Sequence, residues 1–170
     1  VRSCLIAPEG MLFVNADLSS LEDKTKQCCI YPYDPKYVET LNTPGYDAHI
    51  RIAELGNFMS EDEIKFFKWY KSKDKNIEDL PETFKVYNEQ ELSEQFIRLS
   101  KVRHTCNTTN YSATYSASAK KIAETAGVPL KVGQALHKTY WELNWSVKKF
   151  TEDLKVKTVD GRNWIYNPFT

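Results

Sequence analysis

Long apolar runs are missing from this 170-residue sequence, and none approaches the roughly 20 residues that a membrane-spanning helix needs. No signal-peptide pattern opens it, so neither a leader nor a membrane partner is expected. Cysteine is sparse. Cys4, Cys28, Cys29 and Cys106 form no CxxC pair and have no His at zinc spacing, so reduced thiols in a cytoplasmic setting are expected. Gly 6 and Pro 7 are too few for a collagen-like or low-complexity chain. An excess of one charge is also missing: 23 Lys+Arg stand against 23 Asp+Glu, which gives no global sign of a nucleic-acid partner. What is present is 41% hydrophobic, 27% charged and 13% aromatic residues, ordinary for a globular domain with a sizeable core.

Local patterns outline the elements. Ser3 to Ala7 and Met11 to Asp17 flank Pro8-Glu9-Gly10 and read as a hairpin whose second strand ends on a carboxylate. Ser19-Ser20-Leu21-Glu22 is suited to start a helix. Asp47 to Asn57 reads as a short helix with Ile50, Ala53 and Leu55 inward. Ser60-Glu61-Asp62-Glu63 carries a capping-box signature, followed by Ile64 and Phe67 on one face. Helical period resumes at Glu89 through Leu92, Phe96 and Leu99. Gly127 suits a helix C-terminus and Pro129 the start of the next helix, along which Leu136, Tyr140, Leu143, Val147 and Phe150 recur. Lys155 to Val159 and Arg162 to Tyr166 flank Asp160-Gly161, a type I′ hairpin signal.

Thr105 to Ala119 sets two signals against each other. Its Thr, Ser and Asn content favours loop or strand, yet Arg103, Asn107, Tyr111 and Tyr115 recur every four residues, as along one helical face. The same region is where the balanced charge breaks down. Between Glu94 and Glu124 there is no acid, while Arg98, Lys101, Arg103, Lys120 and Lys121 accompany His104, Tyr111 and Tyr115. A basic segment rich in hydroxyls and aromatics suits phosphate and base contacts. His137 reads as a surface histidine, and Trp69, Trp141, Trp145 and Trp164 as core or core-edge residues.

Four stretches in order resemble the family A DNA polymerases, the bacterial DNA polymerase I enzymes and their phage relatives. Arg2 to Gly10 followed by Val14-Asn15-Ala16-Asp17-Leu18-Ser19-Ser20-Leu21-Glu22 resembles the first polymerase motif, Asp-Tyr-Ser-Gln-x-Glu-Leu-Arg. Asp47-Ala48-His49 is similar to the Asp-x-His that follows it. Arg103 to Ser116 aligns without gaps to Arg-x-x-x-Lys-x-x-x-Phe/Tyr-Gly-x-x-Tyr-Gly, the nucleotide-facing helix of the fingers. Asp160-Gly161-Arg162 resembles the hairpin beyond the fingers.

The resemblance implies roles residue by residue. Asp17, with the Leu18 carbonyl, would coordinate the Mg²⁺ ions of a two-metal nucleotidyl transfer site. Glu22 would close the sugar pocket against a 2′ hydroxyl. Arg103 and His49 would hold the triphosphate, Arg through its two-pronged donor geometry. Tyr111 would pack beside sugar and base, Tyr115 would support the templating base, and Arg2 would lie near the primer terminus. The implied partners are DNA primer-template, deoxynucleoside triphosphates, and the remaining palm and thumb. The setting would be the cytoplasm of a bacterial cell or phage-infected host.

The departures are specific. The motif's phosphate-binding Lys is Asn107, which removes a charge, and Lys101 and Lys120 lie off its register. Its glycines are Ser112 and Ser116, its Tyr is Leu18, and the Leu-Arg after Glu is Asp23-Lys24. No His-Asp occurs, so the second metal-binding motif is not in this sequence, and primer extension by this chain alone is not expected.

The expected fold is α+β and mostly helical. Palm strands would take residues 1–24, helical fingers 25–154, and a hairpin returning to the palm 155–170. Within the fingers, a helical insertion would span about 60–96 and the nucleotide-facing helix about 98–124. A degenerate or split fingers module that grips nucleic acid without catalysis is the alternative; an unrelated α/β interaction domain is a more distant one.

Overall fold

In the computed structural model, residues 7–12, 14 and 21–166 are described. The first expected hairpin falls largely outside them, as do Arg2, Asp17 and Leu18. Helices dominate: α1 (Leu21–Ile30), α2 (Pro35–Leu41), α3 (Ala48–Leu55), α4 (Glu61–Lys71), α5 (Glu89–Thr114), α6 (Ala119–Ala126), α7 (Leu130–Leu143) and α8 (Trp145–Asp153). Two 3₁₀ turns, Ile77–Asp79 and Glu82–Phe84, separate α4 from α5. Antiparallel strands β1 (Val156–Val159) and β2 (Arg162–Ile165) follow α8, completing an α+β, mostly helical fold.

Side chains that satisfy free backbone N–H groups fix where the helices begin. Asp34 accepts from the Tyr37 N–H ahead of α2, and Asp47 accepts from His49 and Ile50 ahead of α3. Reciprocal capping boxes open α4, through Ser60 and Glu63, and α5, through Asn88 and Glu91. Gly127 closes α6 at φ 65, the left-handed conformation that glycine adopts without a Cβ penalty. Asp160 and Gly161, at φ 49 and 71, make the type I′ turn that puts Val156 opposite Ile165.

The core lies between α3, α4, α5 and α7. Phe66 stacks on Phe84 at 4.2 Å, and Phe96 stacks on Phe67 and Tyr70 at 5.2 and 4.4 Å. These rings share one cluster with Ile52, Leu99, Ile122, Leu136 and Tyr140. Each such side chain contributes roughly 1.5–3 kcal/mol by leaving water. Residues 60–96 therefore pack as part of the main core.

Periodicity prevails over propensity in α5. The helix runs through the Thr- and Asn-rich stretch to Thr114. Its hydroxyls bond within the helix: Thr109 Oγ1 donates to the Thr105 carbonyl at 2.9 Å, and Thr114 Oγ1 to the Asn110 carbonyl at 2.7 Å. Cys106, Thr109, Asn110 and Ala113 form the buried face, and burial pushes the Cys106 thiol pKa up to about 12. The helix does not continue to residue 124. It stops at Tyr115, Ser116 takes φ 61, and α6 starts separately at Ala119.

Other expectations are corrected. Leu55 is 44% exposed, and Ile52 is the fully buried member of the core cluster in its place. The single helix expected through Phe150 breaks at Asn144. That buried side chain donates from Nδ2 to the Tyr140 carbonyl at 3.0 Å and accepts from Tyr37 Oη at 3.4 Å. Trp69 and Trp141 pack against the core, but Trp145 and Trp164 are largely exposed. No helix among the described residues is long and apolar enough to cross a membrane.

Candidate functional site

α5 carries Arg103, Asn107 and Tyr111 at helical spacing on a part-exposed face, with Tyr115 at its C-cap. Opposite lies the start of α3. The His49 and Tyr111 rings are 6.3 Å apart, centroid to centroid. Tyr115 Oη donates to Glu22 Oε1 at 2.6 Å, which ties the end of α5 to the start of α1. That hydrogen bond, followed by the carboxylate's charge, raises the Tyr115 pKa and keeps the phenol protonated. Glu22, His49, Arg103, Asn107, Tyr111 and Tyr115 thus lie along neighbouring elements, although their segments are far apart in sequence.

Asp47 joins two of those elements. Its Oδ1 accepts from the His49 and Ile50 N–H groups at 3.0 and 3.2 Å, capping α3. Its Oδ2 accepts from Arg103 Nε at 2.7 Å. Burial alone would raise the Asp47 carboxyl, but the hydrogen bond and charge of Arg103 outweigh it and hold the pKa below its ordinary value. Burial pushes the His49 imidazole below its ordinary pKa against the pull of Asp47, so it is neutral at pH 7. Its Nδ1 is buried and has no hydrogen-bond partner among the described residues. A buried polar atom of this kind is costly unless something pairs with it. A cavity of about 260 Å³ opens here, lined by Asp23, Lys24, Tyr46, Asp47, His49 and Arg103 among others.

The run of positive charge along the sequence is not a run of free charge in space. Arg98 pairs with Glu63, Arg103 with Asp47, and Lys121 approaches Glu124 at 4.0 Å. Among the described residues, Lys101 and Lys120 have no ion pair. Sequence reasoning missed Asp47 as the partner of Arg103; its cue was an Asp immediately before a helix, the usual N-cap signal.

A larger cavity, about 900 Å³, lies between α7 and α8, lined by Trp141, Trp145 and His137. There the half-buried His137 accepts at Nε2 from the Trp141 indole N–H at 3.0 Å. Among the described residues, no group of three or more His, Cys, Asp and Glu side chains is placed to hold a metal ion. The expected Mg²⁺ ligands, Asp17 and the Leu18 carbonyl, lie outside those residues.

Compared with known proteins, the chain matches no family model, no curated protein and no solved structure.

Proposed function

We propose that this chain is the fingers and first palm strands of a family A-like DNA polymerase, and that it binds a deoxynucleoside triphosphate between α3 and α5. One observation carries the reading. Groups that the resemblance assigns to one nucleotide pocket meet across segments distant in sequence: the His49 and Tyr111 rings lie 6.3 Å apart, Arg103 binds the Asp47 cap of the helix that carries His49, and Tyr115 binds Glu22. Those long-range contacts support the reading.

Each group has a task it can perform as placed. Arg103 keeps Nε on Asp47 and offers its remaining N–H groups to phosphate oxygens. His49 brings a desolvated ring nitrogen that has no partner among the described residues. Tyr111, 38% exposed, presents a ring face for a sugar or base. Glu22 is held by Tyr115, and the resemblance gives its carboxylate the task of excluding a 2′ hydroxyl. Mg²⁺ held by Asp17 and the Leu18 carbonyl would supply charge neutralisation at the phosphates. Asn107 contributes an amide where the motif has a charge, which favours, as a second reading, a module that grips nucleotide without catalysis.

Titration with a fluorescent deoxyadenosine triphosphate tests the first reading. Arg103→Ala is expected to weaken binding by about tenfold or more, the loss of charge-assisted hydrogen bonds. Saturable binding that Arg103→Ala leaves unchanged, or no binding by the folded chain, refutes it.

A further inference from the structure

The 260 Å³ cavity raises a question of charge that the polymerase motifs do not answer. A triphosphate entering it needs uncompensated positive charge. Arg103 already faces Asp47 at 2.7 Å. Lys26, buried on α1, does not line the cavity and faces Asp23 at 3.3 Å. His49 is neutral, and Asn107 brings no charge.

One cation in the cavity wall is different. Lys24 has no carboxylate at ion-pair distance among the described residues; its ammonium donates to Asn42 Oδ1 at 2.5 Å. That amide is fixed in orientation. Asn42 Nδ2 donates to Gln27 Oε1 at 3.0 Å and to the Val38 carbonyl at 2.8 Å, which leaves its oxygen to receive Lys24. α1 and the end of α2 therefore hold an ammonium at a cavity also lined by His49 and Arg103.

We propose that Lys24 is the phosphate-binding lysine of this pocket, recognising the polyphosphate chain of a nucleotide together with Arg103 and His49. The proposal rests on the nucleotide reading above and deepens it. A neutral amide is a weak competitor for an ammonium, so transfer from Asn42 to phosphate oxygens trades a charge–dipole bond for a charge–charge one. The flexible four-carbon stem lets the head make that move without displacing α1. Lys101 and Lys120 do not line this cavity.

The test is competition titration of the full chain with a fluorescent deoxyadenosine triphosphate, displaced by dATP, dAMP or inorganic tripolyphosphate. The variants are Lys24→Gln, Lys24→Arg and Arg103→Ala, each with its melting curve. Lys24→Gln is expected to keep the fold, since the side chain is exposed. It should weaken dATP and tripolyphosphate by about tenfold, the scale of one charge-assisted contact, and dAMP by less than about threefold. Lys24→Arg should restore most of the affinity. If Lys24→Gln binds dATP like the wild type while Arg103→Ala loses it, the lysine assignment falls and the nucleotide reading stands. Equal weakening of dATP and dAMP also overturns the assignment, because the lysine would then not be reading the polyphosphate. If neither variant changes binding, both readings fall together.

Discussion

Replacing Asp47 separates its two jobs. Asp47→Asn keeps a side-chain oxygen for the N-cap of α3, since Asn caps about as well as Asp, but removes the charge facing Arg103. Asp47→Ala removes both. The ion pair is part-buried, with the two side chains 31% and 20% exposed, and its loss costs about 1 kcal/mol, above a fully exposed pair. The cap adds ~1 kcal/mol. The expected losses at pH 7 are therefore about 1 kcal/mol for Asp47→Asn and about 2 kcal/mol for Asp47→Ala.

The pH dependence has a definite sign. The folded-state pKa of Asp47 is lowered, so the unfolded chain binds its proton more readily. The stabilisation is present above the ordinary carboxylate value and is lost as pH falls through the folded one. Asn has no such titration. Urea unfolding of the wild type and Asp47→Asn, run from pH 7 downward, should give a stability gap that narrows in acid. A gap constant with pH would falsify the assignment of the charge pair, and equal losses in the Asn and Ala variants would refute the capping role.

Gly133 sits where α7 meets α6, and an added Cβ would lie 2.6 Å from Ala123 Cβ and 2.7 Å from the Ala119 carbonyl oxygen. Gly133→Ala is therefore expected to lower the melting temperature, because overpacking of about 1–3 kcal/mol outweighs the ~1 kcal/mol of helix propensity gained; an unchanged or higher value counts against it. Ser116 occupies left-handed backbone at φ 61, so Ser116→Gly should raise stability by about 0.5 kcal/mol, relief of strain exceeding the added chain entropy. A lower melting temperature would show that the turn is not strained by its Cβ. Native alkylation at pH 8, read by mass spectrometry, should label exposed Cys28 and spare buried Cys106 until the chain is unfolded. Equal labelling of the two would contradict the packing beneath α5.

What the sequence made legible was local. Ser60 and Glu63 announce α4 because a capping box needs only residues three apart. The four-residue recurrence from Arg103 marks the α5 face because side-chain spacing survives poor propensity. Asn144 is different. Its power to break a helix depends on Tyr37, 107 residues away, and no window of sequence contains both. The charge map could not show these pairings for the same reason: Arg98 and Arg103 find their acids 35 and 56 residues back, on α4 and at the start of α3. The motif residues could be named in advance, but their company could not.

The bond between Tyr115 and Glu22 closes a span of 93 residues. α1, which supplies Glu22, buries Ile30 as its one fully enclosed apolar side chain alongside the polar Lys26 and Gln27. A helix so lightly anchored gains little from docking, and long spans join late because their closure entropy comes first. α5, by contrast, is packed against α3, α4, α6 and α7. In hydrogen exchange, amides of α1 should trade with solvent well before those of α5. The Tyr115–Glu22 bond would then span a seam between an early-exchanging helix and a late-exchanging one, and equal protection of α1 and α5 would refute that order.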